Sequence, residues 1–152
     1  MRITEILKHE AIIADLKSKD KKGVLEELAA AVSQIAGTET KSIVRVLLER
    51  EQLGSTGIGG GIGIPHGKLN TINTIVVGFG LSRSGVEFDS LDSRPVHIFF
   101  LLVTPENSTG SHLRVLAQIS KLLKKDQFKK KLLKAQSVSD IESIIREVDE
   151  EF

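Results

Sequence analysis

The sequence predicts an α/β fold: a single-domain sandwich spanning residues 1–152, with a mixed parallel and antiparallel central sheet flanked by helices. Three observations carry that expectation. Apolar residues recur at helical spacing in the first third of the chain and again in the last. Between them lie short apolar runs of strand length, chief among them Val96 to Val103. And 152 residues with no internal repeat and no low-complexity linker make one ordinary domain.

Taken in order, Ile3 to Leu7 reads as one short helical turn, and Ala11 to Leu16 as a strand or extended segment. Asp20 is placed to cap a helix whose stripe is Val24, Leu25, Leu28, Val32 and Ile35, with Gly37 as its C-terminal glycine. A second helix follows from about Thr40. Its apolar face is Ile43, Val44, Leu47 and Leu48; Arg45, Glu49, Arg50 and Glu51 fall on other faces, and Gly54 ends it. Residues 54–67 hold seven of the chain's 13 glycines, which predicts a long loop, pinned to the core by Ile58, Ile62 and Ile64. Thr74 to Leu81 reads as a strand, Val86-Glu87-Phe88 as a short edge strand, and Val96 to Val103 as a strand buried on both faces. Leu113, Leu116, Ile119, Leu122 and Leu123 predict a helix starting near Ser111. Asp126 is the expected cap of the next, and Ser137 or Ser139 of the last, whose stripe is Ile141, Ile144, Ile145 and Val148.

Composition removes several kinds of chemistry. With no Cys there are no disulfides, thiolate metal sites or cysteine nucleophiles. With no Trp or Tyr there is no tyrosine chemistry. A net charge of +1 argues against a protein built to hold nucleic acid. No apolar run reaches the length of a membrane helix, and Lys8, His9 and Glu10 interrupt any signal-peptide core, so the chain reads as cytoplasmic and intact. The seven lysines between Lys121 and Lys134 read as the solvated face of two helices in preference to a docking patch, nearly balanced by Glu147, Asp149, Glu150 and Glu151.

The glycine-dense segment matches neither Gly-x-Gly-x-x-Gly nor a phosphate-binding P-loop, since Leu69 stands where the P-loop needs Ser or Thr. Four histidines, His9, His66, His97 and His112, show no metal-pair spacing, so no metal or cofactor is expected. His66 stands out. Pro65 fixes the backbone before it, and Gly67 after it lets the chain turn away and leave the ring accessible. Glycine backbone N–H groups nearby suit an anionic oxygen cluster. A neutral imidazole is a competent nucleophile near neutral pH. His97, inside the apolar strand, reads as structural, and His9 as a surface residue. Ser55 and Thr56 either donate to a bound anion or only shape the turn.

Residues 54–69, GSTGIGGGIGIPHGKL, resemble the phosphohistidine segment of enzyme IIA components of the bacterial phosphoenolpyruvate-dependent phosphotransferase system, in the mannitol/fructose/nitrogen-regulatory group. The likeness extends to Leu47-Leu48-Glu49-Arg50-Glu51, Phe88 to Val96, Thr104-Pro105-Glu106 and His112-Leu113; Gly63 departs from the usual Ala. The resemblance implies a phosphocarrier in which His66 accepts a phosphoryl group through Nε2 from a phosphohistidine carrier protein (HPr or its nitrogen-branch relative). It places the residues matching Arg50 and His112 beside that histidine. Arg50 brings a fixed fork of donors, and His112, in the first turn of a helix, adds the N-terminal dipole. The nitrogen-regulatory branch is the nearest likeness, with regulatory target proteins as the output. A sugar-specific component handing phosphate to a separate IIB protein is the alternative, and a non-catalytic regulator of the same fold a third reading.

Overall fold

The computed structural model describes residues 2–107 and 109–149, and of Thr109, Ser111 and His112 the backbone alone. The chain runs through α1 (Ile3–Ile6), β1 (Leu7–Ile13), α2 (Lys21–Ala36), α3 (Thr40–Gln52), β2 (Gly57–Gly59), β3 (Ile62–Gly63), β4 (His66–Leu69), β5 (Val76–Val86), β6 (Val96–Pro105), α4 (Thr109–Leu123), α5 (Asp126–Lys134) and α6 (Val138–Asp149). The strands form one mixed sheet in the order β1-β5-β6-β3-β2. Pairing is parallel for β1 with β5 and for β3 with β6, and antiparallel for β5 with β6 and for β2 with β3. Strand β4 pairs parallel with β6, beyond the short stretch taken by β3. The expected sandwich with a mixed sheet is the fold observed.

Strand β6 is the spine. Val96, Ile98, Phe99, Phe100, Leu101, Leu102 and Val103 are all buried, as a strand covered on both faces must be. Phe79 of β5 meets Phe100 edge to face with ring centroids 5.0 Å apart. Helices α2 and α3 pack on each other; α2 lies on β5 and β1, α3 on β4, and α6 on β1. The Gly23 N–H donates to Asp20 Oδ1 at 2.7 Å, and Gly37 closes α2 at φ +63°, so both expected caps are present.

Several expectations are corrected. The first strand begins at Leu7, not Ala11; Lys8, His9 and Glu10 all face outward, because a register shift between Leu7 and Ile12 breaks the usual alternation. Val86 ends β5 instead of starting an edge strand, since it pairs with Val96 past a second irregularity. Ile58 is 44% exposed, Leu113 63%, and Ile35 is also exposed, so none of these three pins its segment to the core. Asp126 is the first residue of α5 and makes no capping bond; Lys125 holds the cap position. Ser137 is the residue that caps α6, accepting from the Asp140 N–H at 3.1 Å. Asp149 belongs to no solvated tail: it is 2% exposed, and its carboxylate accepts from the N–H groups of Ile3 (3.0 Å) and Thr4 (2.7 Å), tying α6 to α1. Among the described residues, no helix is long and apolar enough to cross a membrane.

Candidate functional site

The glycine-dense segment is a small sheet extension, and hydrogen bonds explain its shape. At Gly60 and Gly61 (φ +66° and +80°) the chain reverses between β2 and β3, a backbone region that side chains rarely allow. Asp92 fastens this turn: its Oδ2 accepts from the Gly60 N–H at 3.0 Å and its Oδ1 from the Arg94 N–H at 3.1 Å. Those donors, Gly60 foremost, hold the Asp92 carboxyl below the ordinary aspartate value. The Gly57 N–H goes to Ser55 Oγ (3.0 Å) and the Thr56 N–H to Glu51 Oε1 (3.1 Å). These three N–H groups of the segment therefore serve the protein's own acceptors.

The same holds for the hydroxyls. Ser55 Oγ donates to the Phe88 carbonyl at 2.8 Å, and Thr56 Oγ1 donates to Glu51 Oε2. A hydroxyl has one proton to give, so both residues shape the turn.

After β3 the chain steps through Ile64 and Pro65 and rejoins the sheet as β4. Pro65 has no N–H, but its carbonyl accepts from the Leu102 N–H at 3.0 Å. His66 then pairs with Leu102, and Gly67 with Val103. His66 thus begins a strand, where the sequence predicted a loop turning away after Gly67. The glycine has another purpose: a Cβ there would lie 3.1 Å from Val46 Cγ2, so its absence lets α3 lie close against β4. That contact brings the last turn of α3 beside His66.

The half-buried His66 ring is oriented from behind. Its Nδ1 lies 2.8 Å from the Ile64 carbonyl oxygen. A carbonyl only accepts, so Nδ1 carries the hydrogen, and in the neutral ring the lone pair sits on Nε2. His66 lines a cleft of about 370 Å³ together with Val46, Glu49, Arg50, Leu53, Gly67 and Lys68. Arg50 occupies the last turn of α3, where a cation offsets the partial negative charge of the helix end, and one guanidinium nitrogen donates to the Gly54 carbonyl at 2.9 Å. The structure brings Arg50 and His66 to one cleft, the neighbourhood that the family resemblance implies. His112 falls in the first turns of α4, but its side chain lies outside the described residues.

Lys68 is a lining cation that sequence reasoning left unused. Its signal was present: two residues after His66 on a strand, it shares that residue's face. The other two described histidine rings are engaged elsewhere, as the sequence predicted. His97 Nδ1 is 2.9 Å from the Ser82 carbonyl oxygen, and the exposed His9 meets Glu142 at 2.9 Å.

Comparison with known proteins adds the following. The family described as "Phosphoenolpyruvate-dependent sugar phosphotransferase system, EIIA 2" matches residues 5–148. A nitrogen regulatory protein of Bradyrhizobium diazoefficiens is 39% identical over 145 residues, 95% of this chain and 95% of its own. The fructose-specific EIIABC component of Bacillus subtilis is 35% identical over 150 residues, 98% of this chain but only 24% of that longer protein. The crystal structure of the nitrogen regulatory protein IIA-Ntr from Neisseria meningitidis superposes with a TM-score of 0.89 at 32% identity, covering 94% of this chain and 98% of that one.

Proposed function

Since this chain belongs to the EIIA 2 family of the phosphoenolpyruvate-dependent sugar phosphotransferase system, we propose that it is a histidine phosphocarrier, acting as one IIA-type domain and charged on His66 by a phosphohistidine carrier protein of the HPr kind. The observation that carries this is the His66 ring, with Nδ1–H donated to the Ile64 carbonyl, in a cleft shared with Arg50. In the transfer, the Nε2 lone pair forms a bond to phosphorus as the donor's nitrogen–phosphorus bond breaks and its electron pair returns to the donor imidazole. No proton has to leave Nε2, because the ring's hydrogen is already on Nδ1. Such a transition state is loose, so it needs alignment and charge neutralisation more than covalent help. The Arg50 fork and the Lys68 ammonium supply positive charge at the cleft. His112, at the start of α4, is the third residue we assign to the phosphoryl oxygens.

We further assign the output to regulation of other proteins, supported by near-full-length likeness to a nitrogen regulatory protein. A second reading has its own support in the fructose-specific relative. In that case the phosphoryl group passes to a separate IIB protein for sugar uptake. In either case the chain is a transferase component with no small-molecule turnover of its own.

The test is incubation with phosphoenolpyruvate, enzyme I and carrier protein, followed by intact mass. One acid-labile phosphoryl group is expected on the wild type and none on His66→Ala. A wild-type mass unchanged with both nitrogen-branch and sugar-branch donors would leave only the non-catalytic regulator. Adding a fructose or mannitol IIB protein then separates the outputs: retention of the group favours the regulator, discharge the sugar component.

A further inference from the structure

Next to Arg50 in the last turn of α3 stands a carboxylate that faces inward. Glu51 is 8% exposed. Its Oε1 lies 3.1 Å from the Lys21 ammonium, at the start of α2, and accepts the Thr56 N–H at the same distance. Its Oε2 accepts the Thr56 hydroxyl. Lys21 is held in turn by Asp89 Oδ2 at 3.2 Å and lies over the Phe88 ring, 4.9 Å from the centroid. A buried charge is tolerated only when paired and hydrogen-bonded, and among the described residues the carboxylate is held by Lys21 and Thr56.

The contacts continue past Thr56. Its carbonyl accepts the Ile64 N–H at 3.0 Å, and the Ile64 carbonyl is the acceptor for His66 Nδ1 at 2.8 Å. An unbroken series thus runs from Lys21 through Glu51, Thr56 and Ile64 to the imidazole. We infer that Glu51, charged and fixed by Lys21, is a positioning residue for the phosphorylation of His66: through Thr56 and Ile64 it sets the carbonyl that keeps the ring in its Nδ1–H form. This rests on the phosphocarrier reading above. The alternative Nε2–H tautomer has its lone pair on Nδ1, turned towards the backbone, and cannot attack from Nε2. Glu51 touches no reacting atom. Its effect comes through the location of one backbone oxygen.

The ring itself reports the outcome. Long-range ¹⁵N–¹H spectra of the labelled protein distinguish the two tautomers of His66 without any phosphoryl donor. Wild type is expected in the Nδ1–H form. Glu51→Ala is expected to populate the Nε2–H form and to slow single-turnover phosphorylation about tenfold or more, as loss of a fixed reacting geometry does, at unchanged affinity for the carrier protein. Thr56→Val keeps the residue's shape and N–H but loses the hydroxyl, and is expected to move both readouts the same way by a smaller factor. Thr56→Ser restores the hydroxyl and should restore both. If Glu51→Ala does not fold, the two Thr56 variants decide. A wild-type ring signature in the folded variants overturns the inference, whether or not the rate falls, because a merely stabilising Glu51 would lower only the folded fraction. If wild type itself accepts no phosphoryl group, the phosphocarrier reading fails, and the ring spectra still decide whether Glu51 sets the tautomer.

Discussion

At the scale of single residues, Arg50 carries the most exposed expectation. Its guanidinium reaches the Gly54 carbonyl from the helix end and packs into no core, so removing it leaves the fold standing. Arg50→Ala is expected to lower the phosphorylation rate about a hundredfold, the size of effect seen when one preorganised donor to a developing charge is lost. The denaturation midpoint should stay near wild type. Arg50→Lys should recover only part of the rate, since an ammonium lacks the fork; full recovery would remove the argument from geometry. His66 stands out in the sequence between Pro65 and Gly67, and Arg50 enters as a candidate through the family resemblance alone. Glu51 was not legible. Glu49 and Glu51 both fall off the apolar face of α3, and nothing local tells which of them turns inward. The answer lies with Lys21, on another helix, and Thr56, in the following turn.

At the scale of elements, the β2–β3 turn depends on a carboxylate far along the chain. The Gly60 and Arg94 N–H groups lower the Asp92 carboxyl in the folded state. A depressed carboxylate contributes stability that is present above its unfolded value and is lost as pH falls through the lower folded value. Asp92→Asn should therefore be less stable than wild type near neutral pH. The two denaturation midpoints should converge as pH drops below the ordinary aspartate range. A gap that persists in acid would show that Asp92 acts through shape and not through charge.

The same segment shows where sequence patterns stop informing. Seven glycines announce conformational freedom, and the pattern predicts a loop over residues 54–67. Yet β4 is a strand because β6 offers it a partner edge, and no residue within 66–69 declares that pairing. By contrast α2 was readable from cap to cap, since Asp20 and Gly37 act within their own turns. Caps are local chemistry; strand pairing is not. Asp126 shows the converse limit, because an acidic residue suits the first turn of a helix as well as its cap.

At the scale of the whole molecule, the sheet is organised about β6, which pairs with β3, β4 and β5. Phe100 is fully buried and meets Phe79 across the β5–β6 pair. Phe100→Ala is expected to cost about 4 kcal/mol, the transfer term plus the cavity left behind, read as a drop in urea midpoint at unchanged slope. The apolar run announced a central strand in the sequence, and the structure agrees. The order of the sheet was not legible, because β1 joins β5 and β3 joins β6 across long separations that leave no mark in periodicity.

That arrangement bears on how a partner meets this chain. His66 is fixed three times over: its backbone by pairing with Leu102, its approach by Pro65, its ring by the Ile64 carbonyl. The ordering entropy of the proposed acceptor is thus already settled during folding. On the proposed function, a docking protein has only its own alignment left to supply, so the encounter resembles striking a stationary post more than closing a hinge, with transfer governed by the fit of two surfaces rather than by a rearrangement of this one.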